Sequence, residues 1–173
     1  MFLERIIGVF KLDANTFEEI EHDPNATSQA LIIVAVVAFF GAIGAGVGAA
    51  AGIGDSSVVG GFFGSLIWTF IGWGLWSAIT YFVGTSLFNG KATIEEMLRV
   101  IGFAYAPQAL AIIPCCGSIV GGIWSLIAGF IAIRQGLDLD NTNACLTVIV
   151  GFVIYMIGFV ILSLLGLGIG FIF

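Results

Sequence analysis

The side chains able to do chemistry collect in a few places. Glu18, Glu19, Glu21 and Asp23 surround His22, the single histidine of the sequence. Carboxylates beside an imidazole could bind a divalent metal or pass a proton. One histidine without an ordered ligand spacing is a weak metal signal, so the group reads as a solvated acidic helix face. Cys115-Cys116 could bind metal or oxidise as vicinal thiols, but three cysteines give no disulfide framework, and packing is the simpler reading. Cys145 lies near the start of the last apolar run, where palmitoylation is conceivable but not adopted. Ser65, Thr69, Ser77 and Thr80 form a hydroxyl stripe, with Trp73 and Tyr81, inside another apolar run. Such a stripe can line a path or hold helices together by hydrogen bonds, and the second use is preferred because no ionisable residue accompanies it. No nucleophile, base and orienting group fall together, and no Gly-rich loop joins a strand to a helix. No catalytic residue, cofactor-binding residue, metal ligand, cofactor or nucleic-acid partner is therefore expected. The chain reads as a non-enzyme.

The elements that hold these residues follow from composition. Hydrophobic residues make up 60% of the chain and charged residues 9%, against roughly 25% charged in soluble domains. Runs 24–54, 56–90, 100–133 and 141–173 contain no Asp, Glu, Lys or Arg. Each exceeds the roughly 20 apolar residues that cross a bilayer. Continuous runs favour helices over a barrel. Early charges at Glu4, Arg5 and Lys11 interrupt any signal-peptide core, so the first span is expected to direct insertion.

The expected fold is all-α and polytopic. It has an N-terminal segment 1–26 and a five-helix transmembrane domain 27–173. Helices are expected at 27–51, 58–84, 93–113, 118–135 and from 143 towards 173. Asp23-Pro24 reads as a cap and first helical position for the first of these. The run 100–133 would measure roughly 51 Å as one helix. Pro114-Cys115-Cys116-Gly117 near its middle therefore reads as a reversal, with two short spans or a re-entrant pair as the two outcomes. Five passes put Arg5, Lys11, Lys91, Arg99 and Arg134 on one side. The positive-inside rule makes that side cytoplasmic, with the N-terminus inside and the C-terminus outside.

Two regions of this cytoplasmic side are specific. Phe2, Leu3, Ile6, Ile7 and Phe10 recur at helical spacing, as in a short amphipathic helix lying in the interface. Thr16-Phe17-Glu18-Glu19 matches a capping box for a second short helix running to Asp23. Asn89-Gly90 is a turn, and Thr93-Ile94-Glu95-Glu96 is another capping box. Glu95 and Arg99 are spaced for an i,i+4 pair. Pro107, two residues after Tyr105, should kink the helix. The surface expected to meet lipid head groups or a partner comprises Lys91, Thr93, Glu95, Glu96, Arg99, Arg134 and Asp138. Gly44-xxx-Gly48, with further small-residue spacings and Gly84, would let helix backbones approach closely, within the chain or between copies. The expected partners are the lipid bilayer, a second copy and other membrane proteins. The alternative is a small-molecule or lipid permease, with Ser65, Thr69, Ser77 and Thr80 lining a path beside the broken third helix.

Three segments resemble the Yip1 domain family in its shorter prokaryotic form: IEHDPNATSQAL, WSAITYFVGTSLFNGKATIEEMLRVIGFAYAP and IAIRQGLDLDNTNA. The resemblance implies a five-pass membrane protein with a cytoplasmic N-terminus and an outer C-terminus, here in a prokaryotic cell membrane. It also implies a scaffold or adaptor role, since eukaryotic relatives are linked to vesicle traffic, membrane shaping, Rab-type GTPases and mutual association. Those relatives carry a longer N-terminal region with an Asp-Leu-Tyr-Gly-Pro element. This chain lacks the element, so Rab-type GTPase binding is not expected.

Overall fold

The computed structural model describes residues 2–52, 57–112 and 117–164. Among the described residues seven α-helices follow one another: α1 (Phe2–Phe10), α2 (Ala14–His22), α3 (Ala26–Ala50), α4 (Val58–Phe88), α5 (Ile94–Ala104), α6 (Gly117–Gly136) and α7 (Asn141–Leu164). A 3-10 segment, Ala106–Ile112, lies between α5 and α6. There is no strand among the described residues. Within α3, α4, α6 and α7 are stretches long and apolar enough to cross a membrane. The expected Cys115-Cys116 reversal, the Asp55 turn and the last part of the fifth expected span fall outside the described residues.

The third expected helix is the main correction. It stops at Tyr105 instead of running to residue 113 with a kink. Pro107 has no N–H to continue the α ladder, and Gln108 N–H instead donates to the Tyr105 carbonyl in a 3-10 turn. With 11 residues, α5 is about 16 Å long and too short to cross alone. It is instead the centre of the molecule. Val100 and Phe103 are fully buried, and α5 packs against α2, α3, α4 and α6.

Helix ends follow local chemistry. α4 runs four residues beyond its expected end at Gly84 and closes on Asn89, which is left-handed at φ 56°. Gly90 N–H then bonds the Gly84 carbonyl at 2.9 Å, leaving that carbonyl satisfied. Lys91 N–H donates to the Leu137 carbonyl, so the turn after α4 lies against the turn after α6. α2 starts earlier than its expected capping box. Its cap is Asp13, which accepts from Asn15 N–H, and Thr16 donates its hydroxyl to the same carboxylate. Asp23 closes α2 instead of capping α3, and accepts from Asn25 N–H in the turn between them.

The broadest packing contact joins α3 and α4. On α3 the buried small residues are Ala26, Ala30, Ala38, Ala42 and Gly46, the last facing Val58 and Phe62. Gly44 points the other way. A Cβ added there would meet nothing within 4 Å, so Gly44 does not mediate close packing inside the chain. Gly48 is half-buried.

Candidate functional site

The charged end is built by α1, α2, the start of α5 and the turn after α6. α1 packs Val9 into the core but also buries its cation and leaves part of its apolar side open. Leu3 and Ile7 are 71% and 52% exposed, whereas Arg5 is buried at 6%. Arg5 Nη2 donates to Glu19 Oε1 at 2.7 Å and lies 2.8 Å from Asp23 Oδ2. Nη1 donates to Gln29 Oε1 at 3.0 Å. One guanidinium thus ties α1 to α2 and to the first turns of α3. Burial alone would lower the Arg5 pKa, but bonds to Glu19 and Asp23 outweigh it and raise it. In return, Arg5 holds the Asp23 carboxyl below the usual range. The acidic lead-in is therefore largely a clamp. Its signal in the sequence is the lone cation of α1 preceding four acids.

Glu21 is the opposite case. It is 5% exposed and its Oε2 has no partner among the described residues. Burial pushes its pKa up to about 7; His22 pulls it down, while Asp138, Glu96 and Glu18 push it further up. An unpaired buried carboxylate is costly enough that the proton is retained instead. The carbonyl of Glu18 bonds the His22 ring at 2.9 Å and, with Glu21, raises the histidine pKa. Among the described residues no His, Cys, Asp and Glu side chains group as a metal site.

The expected contact surface divides. Thr93 and Glu96 are engaged in the capping box of α5: Thr93 N–H donates to Glu96 Oε2 at 2.6 Å, and Glu96 N–H to Thr93 Oγ1 at 3.3 Å. Arg99 is not on the surface. It is 6% exposed, lies 3.9 Å from Glu96 rather than pairing with Glu95, and its Nε is unpartnered among the described residues. The reason is that α5 is enclosed by its neighbours beyond its first turn, so Arg99 is covered although Glu95 is not. Lys91, Glu95 and Asp138 remain exposed. Arg134 is half-buried, with Nη1 bonded to Asn141 Oδ1 at 3.0 Å. Gln135 reaches Glu18 at 3.0 Å, joining α6 to α2.

The hydroxyl stripe of α4 bonds its own helix. Thr69 donates to the Ser65 carbonyl, Ser77 to Trp73 and Thr80 to Trp76, at 2.8–2.9 Å. This four-residue back-bonding satisfies the hydroxyls without a pore. Trp73 Nε1 donates across to the Leu98 carbonyl at 3.1 Å, tying α4 to α5. Gly84 is a true close approach, since a Cβ there would run into the side chain of Leu137. Tyr105 is half-buried at the break, and Pro107 is buried beside α6.

No curated protein and no solved structure matches the chain. One family model does, the Yip1 domain, over residues 7–165. That match takes in α2 to α7, with Asp23 and the central helix α5, and it shows that the chain belongs to the Yip1 domain family, a family of membrane proteins.

Proposed function

We propose that this chain is a non-enzymatic membrane scaffold that recruits a partner, or a second copy of itself, through its charged end. The observation that carries the reading is the concentration of exposed charge there. Lys11, Glu18, Lys91, Glu95, Asp138 and Asp140 all lie on α1, α2, the start of α5 or the adjoining turns. Positive-inside bias supports assigning this end to the cytoplasm of a prokaryotic cell, with the C-terminus outside. Beyond Arg99 the five uncharged residues of α5, about 7 Å, and the seven-residue 3-10 segment, about 14 Å at 2.0 Å per residue, add to about 21 Å, the length of a short span. That sum supports a third crossing, and hence five passes. The permease reading is not carried further, because three of the four hydroxyls meant to line its path, those of Thr69, Ser77 and Thr80, are bonded within α4.

The test is crosslinking in membranes. Glu95→Lys with Asp138→Lys reverses two exposed charges without touching the capping box or Arg99. Crosslinked species should fall sharply while thermal unfolding in detergent is unchanged. Crosslinking that is absent in the parent chain, or indifferent to both reversals, overturns the scaffold reading.

A further inference from the structure

The hairpin of α1 and α2 is built like a cover with one fastened edge. A Cβ on Gly8 would run into Thr16, and Asp13 N–H donates to the Gly8 carbonyl at 3.0 Å, so the two helices form one body. Arg5 fastens that body to Gln29 of α3 and to Asp23 in the turn before it. The opposite edge is closed on α6 by two hydrogen bonds, from Trp124 Nε1 to the Phe10 carbonyl and from Gln135 Nε2 to Glu18 Oε2, each 3.0 Å. Beneath the cover, Phe17 and Ile20 are fully buried in the cluster that holds Met97 and Val100 of α5 and Ile133 of α6.

Glu21 is enclosed at the same contact, one residue beyond Ile20, and its Oε2 meets no donor among the described residues. The charges acting on it come from each element that meets there. Glu18 and His22 lie on α2 itself, Glu96 on α5 and Asp138 in the turn after α6. Three of these four are acids, and His22 alone favours the anion. The nearby cations are engaged elsewhere. Arg5 of α1 is held by Glu19 and Asp23, Arg99 of α5 lies toward Thr27 and Glu96, and Arg134 of α6 bonds Asn141. Lys11 and Lys91 are exposed. A carboxylate enclosed among acids needs water, and α2 must lift to admit it, whereas the protonated acid is stable where it lies.

We propose that Glu21 is a proton-operated latch. With its proton on, the cover of α1 and α2 stays seated on α5 and α6. When the proton leaves to water, the cover lifts about the Arg5 edge and bares the apolar face beneath Phe17 and Ile20. The latch stands on contacts within the chain and not on the scaffold reading, so either can fail alone.

Burial holds the proton on seated Glu21 up to about pH 7, against an ordinary 4.5. The seated state is therefore fully favoured below 4.5 and loses ground as pH rises through about 7. A difference of that size moves the balance toward the lifted state by on the order of 100-fold between about pH 5 and 8. His22 acts in the same direction, because the Glu18 carbonyl and Glu21 raise its pKa while the cover is seated.

The test is hydrogen–deuterium exchange of the full chain in phosphatidylcholine nanodiscs from about pH 5 to 8, corrected for the intrinsic pH dependence of amide exchange. Protection of α2 over residues 17–22 should fall on the order of 100-fold across that range, with α4 around Thr80 still protected at the upper end. Glu21→Gln should remove most of the fall and His22→Gln should keep it, which separates the carboxyl from the imidazole. Asp138→Asn, at an exposed turn residue, should shrink the fall and level it off at lower pH, because one repelling charge is gone. If Glu21→Gln does not fold, Asp138→Asn decides. Protection of α2 that ignores pH, a fall that survives Glu21→Gln or is untouched by Asp138→Asn, or an α2 that exchanges in step with α4 at every pH overturns the proposal.

Discussion

Glycines in the two halves of this molecule do opposite things. Toward the charged end, a Cβ on Gly102 would lie 2.7 Å from Ala30 Cβ, and one on Gly136 2.8 Å from Val100. Gly121, further along α6, is as tight, 2.6 Å from the Pro107 carbonyl oxygen. At Gly44, Gly64, Gly74 and Gly158, on the outward-facing helices, a Cβ would meet nothing within 4 Å. The first set holds α5, α6 and α3 at backbone distance. The second set has no such duty inside the chain. Spacing alone does not separate them, since Gly60-xxx-Gly64 reads in the sequence like any packing motif. What separates them is whether another helix is brought alongside, and that is decided by the break at Tyr105 and the cap formed by α1 and α2.

Ways to break this contrast can be ranked by size. The largest effect belongs to Phe17, fully buried where α2 covers α5 and α6. Phe17→Ala should cost about 3–5 kcal/mol in detergent unfolding, whereas Phe63→Ala, at an outward residue 57% exposed, should stay within about 0.5 kcal/mol. Equal losses would mean that the cap is not packed as described.

Glu21 comes next. Its folded pKa of about 7 exceeds the ordinary 4.5. Its contribution is therefore intact below about pH 4.5 and is lost as pH rises through 7. Glu21→Gln should leave stability unchanged at pH 4.5 and raise it at pH 8, by up to about 3 kcal/mol. Parallel pH profiles for the two proteins would show that the carboxyl is paired or solvated.

Glycine substitutions give the sharpest sign test. Gly102→Ala should lose about 1–3 kcal/mol by overpacking against Ala30. Gly74→Ala, in an open helical position, should gain up to about 1 kcal/mol. The same sign at both sites would erase the distinction between the halves.

Much of the frame is legible in the sequence. Charge-free runs locate α3, α4, α6 and α7, and the Thr93–Glu96 box marks the start of α5 to the residue. The misreadings share a cause. Pro107 predicts a kink in a long span, but the 3-10 turn at Tyr105 ends the helix, because packing on every side holds a short α5 in place. Arg99 sits on the polar face of its own helix, and periodicity describes one helix at a time. It cannot see that α2 and α3 close over that face. Arg5 is hidden similarly, because its partners Glu19, Asp23 and Gln29 read as ordinary surface until α1 folds back on them.

The union of the chain's beginning with α6 has a bearing on synthesis. Trp124 Nε1 donates to the Phe10 carbonyl across 114 residues, and Gln135 to Glu18 across 117. At 5–20 residues per second, α1 and α2 leave the ribosome roughly 6–25 s before those partners exist. Through that interval α1 has lipid for its apolar side and α2 within reach for Arg5, but no lid to seat. Enclosure of α1 and α2 thus waits for α6, which supplies Trp124 and Gln135.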